Sequence, residues 1–125
     1  DINSIWVNEM KAGDYNPVHI HQGKLYTGLS SVMVLKLPKD YGPERTHPEV
    51  PMNGRLQILG NIAGQFAHTD YSPQVKIGEF YVFPYDMRHV VYPFSNKKAR
   101  RRTLVCNVDV SYNPVASRTV GFEIL

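Results

Sequence analysis

Long apolar runs, paired cysteines and sustained helical periodicity are all scarce in this sequence of 125 residues. No apolar run approaches the ~20 residues that a membrane-spanning helix needs, so we expect no membrane segment. The single cysteine, Cys106, excludes an internal disulfide and fits a reducing compartment, for which the cytoplasm is the default. The absence of a Gly-rich phosphate loop, a Cys-x-x-Cys pair and a Ser/His/Asp order argues against several common enzyme classes.

The start of the chain also lacks a secretory pattern, because no charged segment leads into an apolar stretch after Asp1. A first residue other than Met fits a processed or trimmed sequence. A length of 125 residues and 42% hydrophobic residues predict a single domain, spanning residues 1–125, with a modest core.

The net charge of +3 is concentrated in Lys97, Lys98 and the run Arg100–Arg102. A clustered positive charge fits an anionic substrate better than an even spread would. A nucleic-acid partner rests on this cluster alone, so we do not expect one.

Short β-rich segments separated by Pro, Gly and Asn dominate the sequence and predict an all-β fold with little helix. The sandwich, the jelly roll and the small barrel all suit this pattern. The long segment Pro38–Asn53 lacks periodicity and predicts a loop that borders a site. The predicted strands are Ser4–Asn8, Val18–His21, Ser30–Leu37, Leu56–Gly60, Gly64–His68, Glu79–Pro84, Arg88–Tyr92, Arg102–Val110 and Val120–Leu125.

Histidines form the most informative pattern. His19 and His21 are two residues apart, so an extended strand would present both on one face. His89, on a distant strand, could supply a third imidazole, and neutral imidazole binds Fe, Zn, Cu and Ni. His47 is expected to lie in a solvated loop. The pair His68 and Asp70 offers an H-x-D alternative, although its distance to His89 along the chain is short.

Several motifs occur in an order that resembles the 2-oxoglutarate/Fe(II)-dependent oxygenases, specifically a small group found in marine phages and bacteria. The N-x-x-H-x-H stretch ends at His21, and the strand from Leu29 to Pro38 follows it. The resemblance covers residues 5 to 112 or so. The later motifs are Gly78–Pro84 as G-x-x-x-x-F-P, His89–Phe94 as H-x-V-x-P-F, and Arg101-Arg102-Thr103 before Asn107.

The resemblance implies a double-stranded β-helix, an Fe(II) centre and 2-oxoglutarate as co-substrate. His19, His21 and His89 would be the metal ligands, and Arg101 would bind the far carboxylate of 2-oxoglutarate with help from Thr103. Hydroxylation of a substrate C–H bond would yield succinate and CO2. A phage-encoded member would act in the host cytoplasm.

Two features leave the site open. The superfamily's usual set is two His and one carboxylate, whereas His21 stands where Asp is expected, so the native metal and the completing ligand, His21 or Asp70, are undecided. Alternation along the last long strand places Arg102 with the more apolar face and Arg101 with the other. Arg101 is the predicted anchor if that apolar face packs against something outside the barrel.

Two rival interpretations stay open. One is a cupin-like binding module or three-His dioxygenase that uses no oxo-acid. The other is a non-enzymatic β-sandwich whose histidines are incidental. The substrate is unknown, whether small molecule or peptide, and homo-oligomers are an open option. Trp6 is expected in the core, and Cys106 is expected to pack as a small hydrophobe.

Overall fold

The computed structural model describes residues 1–44, 48–61 and 64–111. Within these ranges the chain forms strands and loops, with no helix, and therefore no helix capable of spanning a membrane. The seven strands are β1 (Ile2–Met10), β2 (Asn16–His19), β3 (Gly28–Lys36), β4 (Leu56–Ile58), β5 (Phe80–Pro84), β6 (His89–Val91) and β7 (Arg101–Asp109).

The strands form two antiparallel sheets. The four-stranded sheet has the order β1-β7-β3-β5, and the three-stranded sheet has the order β2-β6-β4. Apolar clusters join them: Met10 of β1 packs with Leu56 of β4 and Val91 of β6. Ile58 of β4 packs against Val32 and its neighbours in the larger sheet. Two antiparallel sheets that face each other across such a core make a double-stranded β-helix, or jelly roll, as predicted.

Strand β7 shows why the fold forms. Its residues alternate strictly between buried and half-buried positions, as a pleated strand requires. Val105 lies opposite Trp6 of β1 on one side and Val32 of β3 on the other. Because β7 lies between two long neighbours, its odd-numbered side chains form the wall that faces the smaller sheet.

The described part of the Pro38–Asn53 loop is tied to the end of β6. The Tyr41 carbonyl accepts hydrogen bonds from the backbone N–H groups of Ser95 and Asn96, at 3.1 and 3.0 Å. The Tyr41 ring makes an edge contact with Phe94 at 5.4 Å between centroids. Gly54 has a φ of +64° and lies against this ring, so the loop folds back onto the barrel.

Three expectations about these elements are wrong. The segment Gly64–His68 is a turn, in which Ala67 N–H bonds to the Gly64 carbonyl. Phe66 is 89% exposed, so this apolar residue does not mark the buried side of a strand. Strand β2 ends at His19 instead of His21. Trp6 is 39% exposed, because it lies on the edge strand at a cavity mouth. Predictions for His47 and for Val120–Leu125 lie outside the described residues.

Candidate metal centre

Three imidazoles converge between the two sheets. His19 of β2 lies directly opposite His89 of β6 in the antiparallel register. The ring centroid of His89 is 4.1 Å from that of His19 and 4.9 Å from that of His21. One ring nitrogen from each residue lies within 4.8 Å of the others. The structure therefore brings together the three histidines that the sequence singles out.

His21 reaches this cluster from the loop that follows β2. Its backbone N–H donates to the Tyr85 carbonyl at 2.9 Å, which fixes the direction of the chain after the strand ends. The Tyr85 hydroxyl in turn donates to the buried Asp109 carboxylate at 2.9 Å. The same carboxylate accepts the Lys24 N–H at 3.1 Å. A network anchored on β7 thus positions the second imidazole.

Each Nδ1 atom has a protein partner. His19 Nδ1 lies 2.5 Å from the Pro17 carbonyl, and His89 Nδ1 lies 3.0 Å from the Met87 carbonyl. A carbonyl can only accept, so these two rings donate from Nδ1 and leave Nε2 with its lone pair. His21 Nδ1 lies 3.1 Å from the Asn107 side-chain nitrogen. Partners of this kind fix the ring orientation of metal-binding histidines.

The protein environment keeps two of the rings neutral at pH 7. Burial, together with the neighbouring histidines, lowers the pKa of His89 to about 4, and the hydrogen bond to Met87 partly opposes this effect. Burial and the charge of His19 also lower the pKa of His21. Neutral imidazole is the form that binds a metal ion.

The spacing suits a metal ion. His21 Nε2 and His89 Nε2 lie 3.0 Å apart. Two nitrogens that each bind one ion at about 2.1 Å with a right angle between them are also about 3.0 Å apart. The pair His21 and His89 therefore has the spacing that a transition metal needs, and His19 lies close enough to join them. None of the three imidazoles offsets the charge of the ion.

Arg101 lies in the wall of the same cavity and is only 1% exposed. Its Nη1 contacts the Met10 sulfur at 4.0 Å, while Nε and Nη2 have no hydrogen-bond partner among the described residues. Burial lowers the pKa of this guanidinium, and the nearby Tyr41 side chain opposes that effect. The group stays charged at neutral pH, because a guanidinium is not deprotonated in proteins. Buried cations are normally paired, so the cavity suits an anion.

The cavity holds about 290 Å³ and opens between the sheets. Thr103, 2% exposed, follows Arg101 on the inner face of β7. The Trp6 ring stacks over His21 at 6.2 Å between centroids. The lining also includes Asn8, Asn16 and Pro17. The three imidazoles, which suit a metal ion, and the Arg101 guanidinium, which suits an anion, therefore line one small cavity.

Other sequence candidates lie elsewhere. Arg102 points to the outer face of β7 and forms an ion pair with Glu9 at 2.6 Å. His68 and Asp70 are exposed, and Asp70 accepts the Gly60 N–H at 3.3 Å. Cys106 is half-buried on the outer side of β7. Asp70 is therefore not part of the histidine cluster that the structure describes.

Two residues to which the sequence assigned no role contact side chains of the site: Asn107 contacts His21, and Tyr41 lies beside Arg101. Asn107 belongs to the motif near the end of β7. It lies four residues after Thr103, on the same side of the strand, and this spacing is the sequence signal that places it near the site. Tyr41 lies in the Pro38–Asn53 loop, which was expected to border a site but carries no periodicity to single out one residue.

The chain is thus a jelly roll whose central cavity holds three imidazoles suited to a metal ion and one buried arginine. Residues 4–107 match the family described as "Putative 2OG-Fe(II) oxygenase". The chain belongs to this family, which confirms the resemblance seen in its motifs.

Two solved structures are similar to the chain. An RmlC-like cupin protein from Desulfovibrio desulfuricans shares 19% identity, with a TM-score of 0.44 over 83% of this chain and 69% of that one. A cupin protein from Bacteroides fragilis shares 12% identity, with a TM-score of 0.44 over 87% and 70% of the two chains. Comparison with curated proteins finds no match.

Proposed function

We propose that this protein is an Fe(II)- and 2-oxoglutarate-dependent oxygenase in which His19, His21 and His89 hold the metal. Arg101 and Thr103 would bind the distal carboxylate of 2-oxoglutarate. The observation that carries the proposal is the buried Arg101 guanidinium in a cavity shared with the three imidazoles. Its Nε and Nη2 lack hydrogen-bond partners in the part of the chain that the structure describes. When bound, iron and 2-oxoglutarate together supply the oxidation of a C–H bond by O2, with release of succinate and CO2.

Charge supports a dianionic co-substrate. Three neutral imidazoles leave the +2 charge of a metal ion intact, and Arg101 adds another positive charge to the same small cavity. A dicarboxylate that spans both groups would offset most of this charge, and guanidinium holds carboxylate in a two-pronged geometry. The Tyr41 hydroxyl, next to Arg101, would orient the guanidinium. A reducing, cytoplasmic setting, expected from the single cysteine, would keep iron in its Fe(II) form.

The size of the cavity bears on the substrate. A volume of about 290 Å³ is at the lower end for ligand sites, which span roughly 300–1,000 Å³. Once a dicarboxylate is bound, little room is left. We therefore infer that the substrate presents a single side chain or small group past Trp6 and Asn16, and keeps the rest of its structure outside.

The ligand set favours one second candidate, a three-His dioxygenase that uses no oxo-acid, because the cluster contains no carboxylate. Such an enzyme would give Arg101 no role. The two candidates therefore differ in whether the buried guanidinium is used.

The test is 2-oxoglutarate consumption under air with added Fe(II), followed as succinate by NMR. We expect succinate formation that requires Fe(II) and is abolished in His89→Ala, while His68→Ala, an exposed histidine outside the cluster, retains it. Calorimetry with Mn(II) in place of Fe(II) should show 2-oxoglutarate binding in the absence of turnover. Absence of that binding at millimolar 2-oxoglutarate, in protein that does bind the metal, would favour the second candidate.

A further inference from the structure

Three neighbouring rows on the outer side of the four-stranded sheet are apolar at all but one position. Cross-strand pairing arranges its outward side chains in rows. The first row consists of Val7, Leu104, Met33 and Phe80. The second consists of Ile5, Cys106, Ser31 and Val82. The third consists of Val108, Leu29 and Pro84. We call these eleven positions the outer apolar face. Ser31 is its one polar member, and its hydroxyl bonds to the Cys106 carbonyl at 3.1 Å.

The inner side of the same sheet carries the polar residues Arg101, Thr103 and Asn107 beside core residues such as Val105. An antiparallel sheet with one solvated side normally places polar residues there. Here the outer side carries apolar residues instead, and Phe80, Val7 and Ile5 are 60%, 55% and 59% exposed. Monomeric proteins rarely present an apolar patch of this extent to water without a partner.

Charged residues on this side of the sheet form one further row at its edge. Glu9, Arg102 and Lys36 are register partners, and Glu9 and Arg102 neutralise each other. The three apolar rows themselves carry no charged residue. A partner of the same composition could therefore stack on them without burying an unpaired charge, and the charged row could stay solvated at the rim.

The extent of the face matches what a dimer needs. The face is four strands wide, at about 4.8 Å per strand, and about six residues long, at about 3.3 Å per residue. With side chains included, its area is roughly 500 Å². A standard interface buries about 800 Å² per partner, of which the centre is the apolar part. Two twisted sheets pack face to face at about −30°.

We propose that the outer apolar face binds a second copy of this chain, sheet against sheet, to form a two-fold symmetric dimer. This proposal does not depend on the metal or on the oxygenase activity. It also accounts for why Arg101 points inward, since β7 presents its apolar side to the interface.

Sedimentation velocity on the purified chain tests the dimer. We expect a dimer for the wild type, and a dissociation constant about 100-fold or more higher in Phe80→Asp or Val7→Asp, because each buries a charge in the interface. Phe66→Asp is the matched control: Phe66 is 89% exposed on the 64–68 turn, so its variant should remain dimeric. Circular dichroism verifies that all variants are folded. A wild type that is monomeric up to high concentration, or a dimer that survives in the Phe80→Asp/Val7→Asp double variant, overturns the proposal.

A second observation concerns Asn107, which is 4% exposed and whose Oδ1 has no hydrogen-bond partner in the described ranges of the chain. Its Nδ2 lies 3.1 Å from His21 Nδ1. With Nδ2 as donor, His21 Nδ1 accepts, and the ring proton lies on Nε2, which then donates to His89 Nε2. In this arrangement His21 Nε2 has a proton in place of a lone pair, and the lone pair of His89 Nε2 accepts that proton.

Metal binding through both Nε2 atoms requires the opposite tautomer of His21, with its proton on Nδ1. A half-turn of the Asn107 amide brings Oδ1 to the position of Nδ2, where it accepts that proton. We infer that Asn107 is a positioning residue whose amide orientation selects the metal-binding tautomer of His21. This inference rests on the proposed metal site, and it gives the partnerless Oδ1 a function.

Calorimetry with Zn(II) or Mn(II) separates this inference from the proposed function. Asn107→Leu has nearly the same shape and no acceptor, so metal affinity should fall about 10- to 100-fold. Asn107→Asp keeps an acceptor and should bind at least as tightly as wild type. Ser30→Ala, a buried change at the position paired with Asn107, is the control and should leave affinity unchanged.

The ring ¹⁵N signals of His21 in the Zn(II)-loaded wild type should show a protonated Nδ1. Wild-type affinity in Asn107→Leu, or an unprotonated Nδ1, overturns the role of Asn107 alone. A wild type that binds no metal overturns the proposed site and this inference with it.

Discussion

Arg101 and Arg102 are neighbours in sequence that point to opposite sides of β7. Arg101 is 1% exposed and lines the cavity, whereas the Arg102 side chain is 41% exposed and pairs with Glu9. The pleat of a strand separates adjacent side chains in this way. One guanidinium is therefore available to a ligand between the sheets, and the other contributes to the surface.

Exchange of each arginine for alanine should have different effects. Arg101→Ala should weaken 2-oxoglutarate binding about 100-fold, because a charge-assisted pair of hydrogen bonds is lost in a buried setting. Arg102→Ala should leave affinity unchanged, since it removes an exposed ion pair. Calorimetry with Mn(II)-loaded protein measures both. Similar affinities for Arg101→Ala and wild type would contradict the proposed anchor.

Metal and 2-oxoglutarate should strengthen each other's binding. The three-imidazole set supplies no negative charge, so a dianion that contacts both the metal and Arg101 has more to offset than it would beside a carboxylate ligand. We expect Mn(II) affinity to rise at least about fivefold when 2-oxoglutarate is present, and the reverse effect must be equal. Succinate, which keeps the distal carboxylate but lacks the oxo-acid end, is the control and should produce a smaller effect. Equal Mn(II) affinities with and without 2-oxoglutarate would argue against a shared site.

Gly54 tests the contact between the long loop and the site. An added Cβ at Gly54 would lie 2.2 Å from the Tyr41 ring, and φ is +64°. Gly13 has a similar φ of +86° with nothing within 4 Å of an added Cβ. Gly13→Ala should therefore cost about 1 kcal/mol of unfolding free energy from backbone strain alone. Gly54→Ala should cost more and displace Tyr41 from Arg101.

Chemical denaturation measures both glycine variants, and 2-oxoglutarate affinity reports on Tyr41. Affinity should fall in Gly54→Ala and stay constant in Gly13→Ala. If the two variants lose equal stability, the packing of Tyr41 under Gly54 contributes nothing.

Tyr85 predicts a loss of stability at alkaline pH. Burial, followed by the hydrogen bond to Asp109, raises the pKa of Tyr85 from 10.0 to about 12. Between pH 10 and about 12 the unfolded chain releases this proton while the folded chain keeps it. The free energy of unfolding should therefore fall as pH rises through this interval.

Tyr85→Phe should weaken that pH dependence and destabilise the protein at pH 7 by about 1–3 kcal/mol, because a buried Asp109 oxygen loses its donor. The pKa of Tyr81 is also raised to about 12 by burial and by its bond to Glu79, so part of the pH dependence should remain in the variant. Urea denaturation at a series of pH values measures the effect. An unchanged pH dependence in Tyr85→Phe would contradict the assignment.

The strand pattern could be predicted because it is local. β3, β5, β6 and β7 begin and end within one or two residues of the predicted bounds, since alternating side chains and flanking turn residues define them. The turn at 64–68 has apolar residues like those of a strand. It differs from a strand only in that it has no pairing partner within the described fold. Trp6 likewise has the character of a core residue, and its place on the edge strand β1 leaves it half-exposed.

The sequence by itself determined that the chain is all-β and that His19, His21, His89 and Arg101 are candidates for one site. Residue type and the two-residue spacing of His19 and His21 are properties of the chain alone. Only the tertiary structure decided that β2 and β6 pair to bring His19 opposite His89 and that Arg101 rather than Arg102 faces inward. It also decided that Asn107 contacts His21 and that Tyr41 lies beside Arg101. These relations join residues up to 86 positions apart, from His21 to Asn107. Contacts of that range depend on how the sheets stack, which no local pattern specifies.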